Sequence, residues 1–158
     1  MQSLPFAVSG MQDFFIQKWL AARQQYIVAL HQLCNFRPFN QNADHSNLNH
    51  SLQAFCALLV DYIAMGHFEA FEKIAAVVEQ GYLQPAQIPQ HLIHSLLGTT
   101  LAVLDFNDKY QINSDLSELE MDLCRLTEKM AQRLEWEDKL IKIYQSAKQE
   151  VFPAIKTA

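Results

Sequence analysis

Four glycines and five prolines in 158 residues leave the backbone few places to turn, and those places fall between long apolar patterns of helical period. Such a chain is restricted to long helices joined by a handful of connections. Phe15, Trp19, Ala22, Tyr26, Ala29 and Leu33 follow one another at spacings of three and four, which predicts a first helix. It starts after Ser9, whose hydroxyl caps it while Gln12 completes a capping box, and it runs to about Cys34. The polar stretch NFRPFNQNADHSN, with Pro38 as breaker, is the one long loop. A second helical stretch covers about Leu48 to Gln80 and ends at Gly81. Gly66 inside it marks a break or a kink, since glycine costs about 1 kcal/mol against alanine in a helix interior. A third runs from near Pro89 to about Tyr110. Asn113 or Ser114 caps a fourth that extends to about Gln149, with Leu116, Leu119, Leu123, Leu126, Met130 and Leu134 as its seam. No segment reads as a strand of useful length. The expected product is all-α: one domain over residues 1–158, its core about 11–149 with short tails, built as an antiparallel four-helix bundle with a long loop after the first helix.

Half of the residues are hydrophobic and 18% are charged. A compact chain of this length buries on the order of 70% of its unfolded surface, enough for a core without staples, which excludes a disulfide scaffold or a disordered tail. The longest charge-free apolar run, Leu52 to Val60, includes Gln53 and falls far short of the roughly 20 residues a bilayer span needs. The first residues, MQSLPFAVSGMQDFF, have neither a basic start nor a small-residue cleavage site, so no signal peptide and no membrane partner are expected, and the cytoplasm is the default location. Cys34, Cys56 and Cys124 lack CxxC spacing and sit in apolar helical patterns, which predicts buried free thiols. The net charge of −5 argues against nucleic acid as a direct partner, because phosphate binding rests on clustered Lys and Arg. Residues 1–60 carry three basic and two acidic side chains, residues 61–158 nine and fifteen. An acidic surface of that kind suits a basic protein partner and equally an ordinary solvated exterior.

Six histidines in a helical chain raise the question of a metal, since bundle metal sites use Glu-x-x-His pairs on facing helices. The sequence contains no Glu-x-x-His, and His91 and His94, three apart, lack an obvious third ligand. There is no glycine-rich phosphate loop, nucleophile elbow or zinc-finger spacing. No metal, cofactor or catalytic residue is expected.

The informative stretch is FCALLVDYIAMGHFEAFE, from Phe55 to Glu72. At 100° per residue Leu52, Phe55, Cys56, Leu59 and Ile63 share one face, and Asp61 points almost directly opposite. Ala57, Met65 and, if the helix continues past Gly66, Phe68 and Glu72 lie around Asp61. Two readings are open. Asp61 either bonds a buried Arg or a Tyr hydroxyl and pins the core, or it is a single desolvated carboxylate among apolar contacts on a binding surface.

Phe55-Cys56-x-x-Leu59-Val60-Asp61-Tyr62 followed by Gly66-His67-Phe68 and Glu72 resembles the signature of the Rsd/AlgQ family, the bacterial regulators of sigma D. Lys18-Trp19-Leu20-x-x-Arg23, Phe106-Asn107-Asp108 and Glu137-Asp138-x-Leu140-Ile141 are similar to further family motifs, in the same order, so that the resemblance spans about residues 14–145. Lys18 stands where Arg is usual, Phe71 where Tyr is common, and Trp136 replaces a Leu. The resemblance implies a four-helix bundle with anti-sigma activity: it binds region four of the primary, sigma-70 class factor one-to-one and keeps it from core RNA polymerase and promoter DNA. It further implies that Asp61 is the sigma-facing acid, in a salt bridge to an Arg. Met65 and Phe68 are added as apolar contacts by helical phase, with Glu72 beside them. Trp19, Arg23, Tyr62, His67, Glu137 and Asp138 form either a polar cluster inside the bundle or part of the partner surface, and His67 beside carboxylates would make binding pH-sensitive. The rival from another class is a bundle that binds a small ligand or metal at that His and carboxylate set. Weak self-association and a second regulatory protein are compatible with the same sequence.

Overall fold

The structure, a computed structural model, describes residues 5–39, 45–111 and 115–151, with side chains from Phe14 to Ala147. Among the described residues all regular secondary structure is helical, with no strand. The helices are α1 (Pro5–Cys34), α2 (His45–Met65), α3 (Phe71–Glu79), α4 (Gln90–Lys109) and α5 (Leu119–Val151). A π-helical turn, Gly66–Ala70, joins α2 to α3 without a break, and a 3-10 turn, Pro85–Gln87, precedes α4. Counting α2 and α3 as one bent rod, the fold is the expected all-α bundle of four long elements.

Each rod runs antiparallel to its neighbours. Tyr62 on α2 meets Tyr26 on α1, ring centroids 4.9 Å apart. Phe55 on α2 meets Phe106 on α4 edge-on at 6.3 Å, while Gln53 Nε2, further up α2, donates to the Tyr110 carbonyl at the end of α4 (2.7 Å). α5 returns past α4, Tyr110 donating to Asp122 (2.5 Å) and Arg133 reaching Leu96. The core collects Leu48, Leu52, Phe55, Leu59 and Ile63 from α2, Phe15, Trp19, Tyr26 and Leu33 from α1, and Val103 and Phe106 from α4. On α5, Leu119, Leu123, Leu126, Met130, Arg133, Glu137, Leu140, Tyr144 and Ala147 are all buried, alternating at spacings of four and three as a heptad seam requires.

Several boundaries differ from those the sequence predicts. α1 begins at Pro5, not after Ser9, because proline with its fixed φ and missing N–H suits a first helical position better than an interior one. The second rod begins at His45, three residues early. α5 begins at Leu119 rather than at Asn113 or Ser114, which lie outside the described residues; Asp115 turns the chain first, accepting from the Ser117 N–H and hydroxyl at 3.0 Å. Leu116 is therefore half-buried in a turn, and Leu134 half-buried beside the seam, whose true member is Arg133. Only Cys56 is buried among the three free thiols, its pKa pushed up to about 11 by burial; Cys34 is half-buried and Cys124 exposed. By length and composition the rod His45–Glu79 would also suffice to cross a membrane, which counting its longest uninterrupted apolar run does not reveal. The same composition is what a rod flanked by α1 on one side and α4 on the other requires.

The rod ends cleanly. Gly81 takes φ +79°, the Gly81 N–H bonds the Val78 carbonyl (3.0 Å) and the Tyr82 N–H the Val77 carbonyl (3.1 Å), a Schellman stop that only a residue free to enter the left-handed region makes without strain.

Candidate partner-binding site

Asp61 and Tyr62 follow one another on α2, and the 100° step between them separates two environments. Tyr62 points inward and is fully buried. Its hydroxyl donates to Glu137 Oε2 and accepts from Arg23 Nε (3.1 Å). Glu137, 1% exposed, uses its other oxygen for Arg133 Nε (2.8 Å). Arg133, equally buried, reaches α4 with Nη1, whose two N–H groups are shared among the Leu96 carbonyl (3.1 Å), Thr99 Oγ1 (3.0 Å) and Thr100 Oγ1 (2.9 Å). Arg23 reaches toward solvent, pairing with Asp138 at 2.7 Å and lying 3.7 Å from Glu137. One connected chain of polar groups thus ties α1, α2, α4 and α5 together.

Burial and charge act in opposite senses here. Burial raises the Glu137 pKa against the pull of Arg133, Tyr62 and Arg23, and raises that of Tyr62 further with Glu137 beside it. Arg23, which burial alone would depress, is held above its ordinary value by Tyr62, Asp138 and Glu137. Trp19 stacks on Tyr62 at 6.4 Å, its Nε1 buried without a hydrogen-bond partner among the described residues. Gly66 covers the pair: a Cβ there would stand 3.4 Å from both Arg133 Nη2 and Trp19 Nε1. The π turn therefore starts where the rod crosses the cluster, and a residue without a side chain lets the backbone come close.

Trp19, Arg23, Tyr62, Glu137 and Asp138 are brought together. His67 is not among them. Its ring packs edge-on against Phe68 (5.1 Å) and Phe71 (5.6 Å), its Nδ1 is buried without a hydrogen bond, and it makes no ion pair among the described residues. Among the described residues the grouping of His67 with carboxylates does not form; the ring is taken up by Phe68 and Phe71 instead. Arg133, Thr99 and Thr100 belong to the cluster although sequence reasoning passed over them. The signal was available for Arg133, since alternation by four and three from Met130 leads to 133 and 137 rather than to 134.

The outer face of α2 is of another kind. Asp61 is exposed and has no hydrogen bond or ion pair among the described residues. A core-pinning bond to an Arg or a Tyr hydroxyl is not its role; Glu137 makes those bonds. Ala57 is exposed and Ala64 half-buried on either side. Phe68 is 64% exposed within the π turn, and Glu72, also exposed, follows the extra residue of that turn. That residue rotates what comes after it by about 100° relative to an uninterrupted α-helix, so Glu72 does not lie directly in line with Asp61 as simple phase predicts. Met65 is half-buried against the main core. Lys18 and Glu69 pair across the α1 side of the turn at 3.8 Å, both about half exposed. No group of three or more potential metal ligands exists among the described residues, and His91 and His94 are exposed on the rim of a groove between α3 and α4.

A helical bundle with a buried polar cluster that links four of its helices, and with an acid on its outer face that has no partner among the described residues, has the build of a helical interaction protein. The chain is a member of the Rsd/AlgQ family: the family described as regulator of the RNA polymerase sigma(70) subunit, Rsd/AlgQ, matches residues 2–145. Similar proteins named regulator of sigma D include one from Yersinia enterocolitica, 29% identical with 99% of this chain and 95% of the relative covered. Another from Yersinia pseudotuberculosis is 32% identical over 89% and 85%, and one from Pectobacterium atrosepticum 30% identical over 90% and 94%. No solved structure gives a significant match.

Proposed function

We propose that this protein is an anti-sigma factor that binds region four of the primary, sigma-70 class factor one-to-one and acts by occlusion rather than by catalysis. The observation that carries the reading is Asp61, a carboxylate on the outer face of α2 left unpaired among the described residues while its neighbour Tyr62 is committed to the interior. A domain that reads promoter DNA must carry Arg and Lys for phosphates and base edges. A protein that sequesters it needs carboxylates with apolar contacts at matching places, and closing the surface around an Arg–Asp61 pair strengthens that pair by removing water. Phe68 supplies an exposed apolar contact and Glu72 a second acid on the turned part of the rod; Met65, half-buried, supports the face from beneath. With those basic groups covered, the factor reaches neither promoter DNA nor core polymerase. Such a regulator works where RNA polymerase is, in the cytoplasm.

Calorimetric titration with region four of the primary sigma factor from the same organism, at two salt concentrations, tests the reading. One-to-one binding that weakens with salt and carries a negative heat-capacity change is expected. No heat at several temperatures, with both proteins folded, would overturn it.

A further inference from the structure

Residues 45–109, the α2–α3 rod and α4, hold six carboxylates and two lysines, and the rest of the chain holds eleven acids and ten bases, so this part accounts for four of the five net negative charges. Lys73 is turned toward α1, its Nζ 5.2 Å from the centre of the Phe15 ring, and Lys109 is paired with Glu118 and Asp122 at α5. On α4, Leu97, Leu101 and Leu104 are 41%, 62% and 40% exposed, at the spacing of four and three that forms one stripe. The opposite flank of α4 is taken: Ala102, Asp105, Phe106 and Lys109 border α5. The leucines therefore lie on the outer side of α4, away from α5, with Leu97 bordering the groove toward α3. On the outer face of α2 the residues about one turn from Asp61 are small, Ala57 exposed and Ala64 half-buried.

From this juxtaposition we infer that the α2–α4 face is the apolar half of the partner surface, seating a basic amphipathic helix of sigma region four whose apolar side rests on Leu97, Leu101 and Leu104 while its cations meet Asp61 and the acids around it. The inference rests on the anti-sigma reading and adds to it which helix of the bundle, besides α2, the partner covers. Three exposed leucines in register are more than solvation of a helix explains, since exposed apolar patches mark contact surfaces. The choice of a basic occupant follows from charge: a face without an available cation selects against acidic partners and draws basic ones.

The test is the same region-four titration with Leu101→Lys, Leu104→Ser and, as a control on α1, Leu20→Lys, whose parent side chain is 41% exposed. All three sites are at the surface, and unfolding midpoints equal to wild type verify the fold. Leu101→Lys is expected to weaken binding tenfold or more, Leu104→Ser severalfold, and Leu20→Lys not at all. Wild-type binding that none of the α4 changes alters would overturn this inference and leave the anti-sigma reading standing. Absence of wild-type binding would overturn both. If Leu101→Lys changed only self-association, read by sedimentation, the face would be an interface between copies of the chain and the inference would fall.

Discussion

On the outside of α2 an acid stands unpaired between small residues; one residue further along, a tyrosine is fixed by an acid and an arginine from two other helices. The difference is one of solvent. Water solvates Asp61 in the free protein, so holding it unpaired costs folding little. Glu137 has lost its water, and Arg133, Tyr62 and Arg23 stand in its place. A carboxylate committed to its own fold offers nothing to a partner, and a carboxylate that offers itself contributes nothing to the fold. Substitutions in the two regions should therefore register in different experiments.

The largest effect is expected inside. Glu137→Ala leaves Arg133 buried without its carboxylate and should lower stability by about 3–5 kcal/mol, read from urea unfolding; a loss below about 1 kcal/mol would erase the contrast. Asp61→Ala should do the reverse, weakening region-four binding by about 2–5 kcal/mol while unfolding stays within about 0.5 kcal/mol of wild type. A variant that folds normally and binds at full strength would remove Asp61 from the site. Tyr62→Phe takes away a hydroxyl that both Glu137 and Arg23 use, and about 1–3 kcal/mol of stability should go with it, with binding altered far less than by the change next door.

The smallest effect separates two carboxylates by pH. Lys109 and Tyr110 hold Asp122 below the usual carboxylate range, so its contribution is present above that range and is lost as pH falls through the lowered value. Burial holds Glu137 above its range, and stability should decline as pH rises from the ordinary glutamate value to the raised one, then level off. Urea midpoints from pH 3 to 8 resolve the two limbs. Asp122→Asn should remove the acid limb alone, by no more than about 1 kcal/mol because the pair is near the surface.

The helices and the family were legible in the sequence because both are written in periodicity and in contiguous motifs. Asp61 could be set opposite the core face from spacing alone. Its freedom from partners could not, since that depends on what α1, α4 and α5 bring near. Arg133 was hidden by its type: a charged residue in a leucine seam is read as the edge of the seam until Thr99, Thr100 and the Leu96 carbonyl are seen around it. Gly66 announced an interruption but not its kind, because a kink, a break and a π turn all begin with the same residue.

The π turn makes the number of residues between α2 and α3 matter more than their identity. A change of side chain at Glu69 or Phe68 alters one contact, whereas removing a single residue from Gly66–Ala70 would let the rod relax to an ordinary α-helix and swing Phe71, Ile74 and Val77 away from the packing they now make. In this segment insertions and deletions, not substitutions, are the changes the bundle cannot absorb.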